Sequence, residues 1–586
     1  MNTLDNDYAG GELCDLIVVG AGAGGMTAAL TAAHMGLDVV LCEATDQVGG
    51  TTATSAGTLW LPGNRHGRQA GYNDSPAAGA HYLQAISGPD DALDRRRAFL
   101  ESADAAIEFL ERHTALAFAS AGEHPDYLEA PGAATHGRAL SPIEFDGRLL
   151  GADFRRVRAP LDDFLLLGGM MANKADVRAL IDRYRSWTAL RRTLRLVGRY
   201  ARDRLRYPRG TRLVLGNALV ARMLFSLRAA KVELRFGTRL TGLDKDATGR
   251  ICGATFASGN SRISLRARCG VVLATGGIGH QAVLRAGLDP HTFESLTPKS
   301  VRGEGLALAR ELGAALERHP GDFLWQPVSR VPSVGGSHRL FPHLYLDRAK
   351  PGLIAVDHAG QRFVNEGASY HHFVAAMIER AADRPAYLIC DAAFVKRYGL
   401  GVIPPGTRNL RRFERSGYLV AAQSPEQLAQ RLGIDAEALC DTIRRNNESA
   451  ASGKDAAFKK GDTPVSRFNG DARHRPNPCL GPISTAPFCA LAIWPADAAS
   501  SSGLRTDADG RVLDTSDRAI EGLYACGNDM ASVMRGTYPG PGATLGPAIV
   551  FGWRVARHAA TALRKQANGS KHAASSDTAQ HPPASR

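Results

Sequence analysis

The stretch that decides the fold is Asp15-Leu-Ile-Val-Val-Gly20-Ala-Gly22-Ala-Gly-Gly25. Its continuous apolar run, Leu16 to Val19, predicts a buried strand, and the alanine-rich run on to Met35 predicts the helix after it. A second strand is expected from Asp38 to Leu41, closing at Glu43. Gly-x-Gly-x-x-Gly alone is weak evidence. Set between a strand and a helix, with an acid 18 residues past Gly25, it predicts a turn that binds the ADP part of a dinucleotide. Gly20 permits the tight turn, and Gly22 lets the backbone approach a pyrophosphate. The helix N-terminus supplies free N–H donors and the positive end of the dipole. Glu43 would accept bonds from the adenosine ribose. The uncharged run from Leu16 to Ala33 is as long as a membrane span, but glycines interrupt it where the nucleotide turn needs them, so no transmembrane helix is expected.

Two later segments extend the same domain. Val271-Val-Leu-Ala274-Thr275-Gly276-Gly277 and Gly522-Leu-Tyr-Ala-Cys-Gly-Asn528-Asp529 each read as a strand ending in a small or polar turn. Ligands of α/β sheets sit beyond the carboxyl ends of strands, so Ala274, Thr275, Gly276, Asn528 and Asp529 are expected to border the cofactor. Segments so far apart imply an α/β, Rossmann-like but discontinuous domain, read as 12–150, 213–296 and 489–564. An α+β substrate or catalytic domain is inserted at 297–488, and a smaller basic helical insertion at 151–212. The stretch 565–586, rich in Ser, Ala, His and Pro, is expected to be disordered.

The chain has 586 residues, 44% hydrophobic and 22% charged, which excludes a disordered or collagen-like protein. Nine cysteines without a Cys-x-x-Cys pair give neither a disulfide framework nor a zinc ribbon. They favour a reducing, cytoplasmic setting. The acidic start, with Asp5, Asp7 and Glu12, lacks the basic region of a secretory signal. No metal is expected, since neither zinc-ligand spacing nor a His/carboxylate cluster is evident; His371 and His372 are adjacent and read as support for the site. Of the net charge of +13, most lies between Arg178 and Arg212, where twelve arginines face only Asp182 and Asp203. Charge so confined argues against general nucleic-acid binding.

Downstream of Glu43, Gly49-Gly50-Thr51-Thr-Ala-Thr-Ser55-Ala-Gly57 can pass close to a flat ring system. Here the sequence resembles the flavoprotein family of fumarate reductases, succinate dehydrogenases and 3-ketosteroid dehydrogenases. The resemblance implies FAD, held non-covalently, because the histidine that bonds the flavin in succinate dehydrogenases has no counterpart in this run. Gly536-Thr-Tyr538-Pro-Gly540-Pro-Gly542-Ala-Thr544-Leu545-Gly546 resembles the Tyr-Pro-x-Pro-Gly signature of 3-ketosteroid Δ1-dehydrogenases. Carried over, Tyr538 and the Gly542 N–H hydrogen-bond the substrate's C3 ketone as an oxyanion hole. The helix opening near Thr544 and Leu545 would face the flavin.

Arg362-Phe-Val-Asn-Glu366-Gly-Ala-Ser-Tyr370 resembles the family's segment that leads to its catalytic tyrosine, so Tyr370 is the implied proton acceptor. Tyr127, in Glu123-His124-Pro-Asp126-Tyr127, is the implied relay partner, with His124 as its rival. The reaction implied is 1,2-desaturation of a 3-ketosteroid, with a quinone or another acceptor reoxidising the flavin. One alternative is a fumarate-reductase-like enzyme acting on unsaturated carboxylic acids, which needs a carboxylate clamp from Arg138, Arg302 or Arg535. Another is a flavin-binding electron-transfer protein without its own small substrate.

Between 178 and 207 the arginines alternate with Leu180, Trp187, Leu190, Leu194, Val197 and Tyr200. Two readings stay open: a solvated helix packed on the FAD domain, or a peripheral contact with the inner face of the cell membrane.

Overall fold

The computed structural model describes residues 12–89, 94–288, 291, 293–333, 335–344 and 347–577. Its first sheet has a parallel core in the order Glu233–Arg235, Val39–Cys42, Glu12–Val19, Ser261–Leu273, Ala519–Ala525. Helices cover the strands, so Leu16, Ile17, Val18, Val271, Val272 and Leu273 are fully buried, as expected of parallel strands with apolar residues on both faces. Val19 pairs with both Cys42 and Leu273, and Leu273 pairs with Ala525. Four strands therefore end at one level, and the turns after them converge.

The crossover helix Ala23–His34 packs on the helix Leu545–Asp577. The two backbones nearly touch, since a Cβ on Gly552 would lie 2.5 Å from the Gly24 carbonyl oxygen. The final helix also corrects the expectation of disorder from 565. The chain is helical through Asp577, because its alanine-rich sequence meets no proline before Pro582; residues 578–586 lie outside the described ones.

The inserted domain is a seven-stranded sheet whose spine is Phe488–Ser500. One half of the spine pairs with Ala386–Asp391 and the other with Phe323–Pro332, while Glu294–Ser295 joins it in parallel. Both boundaries read at 296/297 and 488/489 are thereby corrected. The insert's sheet begins at Glu294 and includes the strand through Ser500, which runs on through Pro495 and carries no glycine to mark the change of sheet. Helix Tyr370–Ala381 lies on this sheet.

The basic insertion is closed at its neck by Phe145 pairing with Leu213 and Asp146 with Arg212. It holds the helices Lys174–Asp182 and Trp187–Asp203. No helix among the described residues is long and apolar enough to cross a membrane.

Candidate functional site

The converging turns border a cleft that is partly open to solvent. Gly20, Gly22, Glu43, Gly50, Thr51, Ser55, Ala274, Thr275, Gly276, Asn528, Thr544 and Leu545 all line it. A Cβ built on Gly22 or Gly50 meets no atom within 4 Å, so at these two positions the backbone is open to a ligand. Gly20 has a different reason to be glycine: φ is +104°, and a Cβ would stand 2.2 Å from the Ala274 carbonyl oxygen. The N-cap of helix Ala23–His34 is Gly22, which has no side chain to cap it; with the Ala23 N–H taken by Thr52, the other first-turn amides are left for an anion. Glu43 is held at the rim, one carboxylate oxygen accepting from the Ala21 N–H at 3.0 Å and the other from the Thr45 N–H at 3.0 Å. A cleft of bare glycine backbone, free helix amides and one fixed acid fits a dinucleotide.

Three residues expected at the cofactor stand behind the wall. A Cβ on Gly25 would strike the Gly20 carbonyl oxygen at 1.9 Å, and one on Gly57 the Gly216 N at 2.7 Å. Asp529 is fully buried and accepts from the N–H groups of Thr275 and Gly277 and from the Thr275 hydroxyl. It therefore shapes the Ala274–Gly276 turn, which itself lines the cavity. Sequence reading missed Thr52, Thr238, Arg239, Leu240, Ser300 and Glu304, which also line the cleft. Only Thr52, beside the quoted glycine run, carried a local signal; its hydroxyl accepts from the Ala23 N–H at 3.1 Å.

At the Thr544 end the cavity adjoins three buried tyrosines. The ring centroids of Tyr370 and Tyr538 are 5.1 Å apart, those of Tyr127 and Tyr370 5.7 Å, and those of Tyr127 and Tyr538 5.8 Å. The Tyr538 hydroxyl is hydrogen-bonded to the side chains of Tyr370 and Thr544; burial nevertheless raises its pKa above the ordinary 10.0. It is thus a neutral O–H group at physiological pH. Four residues on, Gly542 has φ +93°, and a Cβ there would lie 2.3 Å from the Thr58 carbonyl oxygen. Its carbonyl accepts from the Trp60 N–H at 3.2 Å, while its own N–H finds no acceptor among the described residues. A neutral phenol and a free amide four residues apart are the two donors that one oxygen ligand would need.

A buried network fixes these groups. The Tyr127 N–H and the Tyr82 hydroxyl both donate to the Pro539 carbonyl, each at 2.8 Å. Trp60 Nε1 donates to Asp126 at 2.8 Å, and Arg138 bridges Asp126 and Asp74. Tyr370 opens its helix behind the cap Ser369, and the segment before it is anchored by Glu366 on Arg362 at 2.8 Å and Lys460 at 3.4 Å. His371 and His372 meet edge to face, centroids 5.3 Å apart, but take different partners. His371 accepts from the Trp325 N–H at 3.2 Å and is lowered to about 3, chiefly by burial. His372 bonds Ser369 Oγ at 2.6 Å. His124 packs on Phe468, centroids 4.6 Å apart.

The carboxylate clamp finds no support. Arg138 is spent on two acids and the Gly132 carbonyl, and Arg535 donates to the Pro89 carbonyl at 2.7 Å. Arg302 is exposed.

The chain belongs to the FAD binding domain family, whose profile matches residues 15–545. It is an FAD-dependent oxidoreductase. A 3-oxosteroid 1-dehydrogenase of Mycolicibacterium smegmatis is 36% identical over 568 residues, 94% of this chain and 97% of that protein. A 4-oxocyclohex-2-ene-1-carboxylate 5-dehydrogenase of Sinomonas cyclohexanicum is 35% identical over 568 residues, 95% of each chain. The crystal structure of a 3-ketosteroid Δ1-dehydrogenase from Sterolibacterium denitrificans, complexed with 1,4-androstadiene-3,17-dione, superposes with a TM-score of 0.86 at 35% identity. It covers 94% of this chain and 100% of that one.

Proposed function

We propose that the enzyme desaturates 3-ketosteroids between carbons 1 and 2. The observation that carries this reading is the pairing of the Tyr538 hydroxyl with the free Gly542 N–H, beside Tyr370 and at the end of the cofactor cleft. The two donors bind the C3 ketone oxygen and stabilise the negative charge that grows on it as carbon 2 loses a proton. Tyr370 takes that proton. Tyr127, which touches both other rings, relays it outward. The chemistry that FAD supplies when bound is acceptance of the hydride equivalent that leaves carbon 1, and Thr544, which lines the cleft and bonds Tyr538, sets the ketone clamp against the cofactor. A quinone or similar acceptor completes turnover. Purified protein given androst-4-ene-3,17-dione and a dye acceptor should yield the 1,4-diene. Absence of product, with the flavin still bound and oxidised, would reject the reading.

A second reading keeps the chemistry and changes the ring. The Sinomonas relative is named for an oxocyclohexene carboxylate, which shares with a 3-ketosteroid a cyclic ketone with an acidic neighbouring C–H. Turnover of the small keto acid in preference to the steroid would favour it.

The basic insertion is further proposed to rest on anionic membrane. Among the described residues nine large apolar side chains are strongly exposed, and seven of them, Ile143, Leu149, Leu167, Tyr184, Trp187, Leu194 and Leu205, belong to this insertion or its neck. Trp187 is 81% and Leu194 62% exposed, which disfavours a helix packed through that face. Each arginine near an anionic surface contributes on the order of 1 kcal/mol, and steroid and quinone both partition into bilayers. Cosedimentation with anionic vesicles at low salt, lost at high salt and absent with neutral vesicles, is the expected pattern.

A further inference from the structure

The basic insertion also reaches the substrate side of the molecule. At the end of helix Lys174–Asp182, Arg473 of the inserted domain approaches Asp182 at 3.5 Å. At its start, the Lys174 ammonium stands 3.7 Å from the centroid of the Phe468 ring. Phe468 packs on His124, three residues before Tyr127, and three residues span at most about 11 Å of extended chain. A cation is thus linked, through two ring contacts, to the segment that carries Tyr127.

Arg192 and Arg212 pair with Asp176, and Arg199 with Asp146, whereas Lys174, like Arg178, Arg191 and Arg195, has no carboxylate within ion-pair distance among the described residues. Lys350 is occupied by the carbonyls of Asn469 and Gly470 at 2.7 and 2.8 Å. Surrounding protein, then the like charges of Lys350 and Arg178, lower the Lys174 pKa although the side chain reaches solvent. Two like-charged neighbours and no counter-ion make the positive potential here uncompensated, and the Phe468 face offsets only part of it. An arriving anion would relieve the repulsion and accept a charge-assisted hydrogen bond.

We propose that Lys174 binds a carboxylate on the part of the substrate remote from its ketone, so that the preferred substrates are ring ketones bearing an acidic side chain. The proposal rests on the 3-ketosteroid reading above. It concerns binding alone, because Lys174 lies beyond the groups assigned to proton and hydride removal. Loss of the contact should therefore appear mainly in KM.

The test compares 3-oxochol-4-en-24-oic acid with its methyl ester, measuring kcat/KM for each. The wild type should prefer the acid, and Lys174→Ala should lower the acid-to-ester ratio about tenfold, mostly through KM. Lys174→Arg should retain the preference, and Lys174→Glu should invert it. The preference should also shrink as salt is raised. Flavin content and melting temperature establish that the variants fold. Wild type turning over the ester with an acid-to-ester ratio that Lys174→Ala leaves unmoved overturns this proposal alone. Wild type turning over neither compound, nor androst-4-ene-3,17-dione, overturns the steroid reading and this proposal with it.

Discussion

Around the dinucleotide cleft the shape is made by backbone: Gly22 and Gly50 open onto it, and Gly20, Gly25 and Gly57 let strands and helices meet behind it. The tyrosine centre is made by side chains from three remote segments, held by the Trp60–Asp126–Arg138–Asp74 chain and by Glu366 among its cations. Binding a flexible, charged dinucleotide needs close approach and many amide donors, which a turn supplies locally. Removing a proton beside a ketone needs a base and two donors fixed around one small volume, which takes convergence from several directions.

The sharpest break of this contrast is expected at Gly22. Gly22→Val should fold, because its side chain points into open space, yet purify colourless and inactive, since it fills the cofactor's place. Gly25→Val, whose side chain would meet the Gly20 carbonyl, should instead fail to give folded protein. Flavin absorbance and thermal melts separate the two outcomes, and a yellow, active Gly22→Val would refute the placement of the pyrophosphate. Wild-type flavin should be released by heat or acid; flavin that stays with the denatured chain would contradict non-covalent binding.

In the tyrosine centre the reverse pattern is expected, with cofactor kept and turnover lost. Tyr370→Phe should lower kcat by roughly 10² to 10⁴, the range for loss of a general base, with FAD content unchanged. Tyr538→Phe should cost roughly 10² to 10³, the value of one oxyanion donor. Near wild-type rates in both variants on a 3-ketosteroid would remove the proposed roles.

The remaining effect falls on stability and not on turnover, and concerns the support of Tyr370. Burial alone would raise Glu366, but Arg362 and Lys460 outweigh it and hold the carboxyl at about 2, below its ordinary 4.5. A depressed folded value contributes stability that is present above 4.5 and lost as pH falls toward 2. Glu366→Gln should therefore destabilise by about 3 to 5 kcal/mol near neutrality, and its deficit against wild type should narrow over that acid range. A deficit independent of pH would mean that packing, and not charge, anchors the segment.

The glycine turn and the acid at Glu43 were legible from sequence, because each is a local demand of backbone geometry on neighbouring residues. Tyr538, Gly542, Tyr370 and Tyr127 required the family resemblance, since nothing local distinguishes them from packed tyrosines and a Pro/Gly turn. Tertiary structure alone decided the rest. It set Gly25, Gly57 and Asp529 behind the cleft wall, and brought Thr238, Arg239 and Ser300 to the cleft from other strands and loops. It assigned the strand through Ser500 to the inserted sheet and spent Arg138 on Asp74 and Asp126. It left Trp187 and Leu194 in solvent and Lys174 without an acid beside it. Pairing, burial and charge compensation are properties of a residue's neighbours in space, and for these residues the neighbours come from distant segments of the chain.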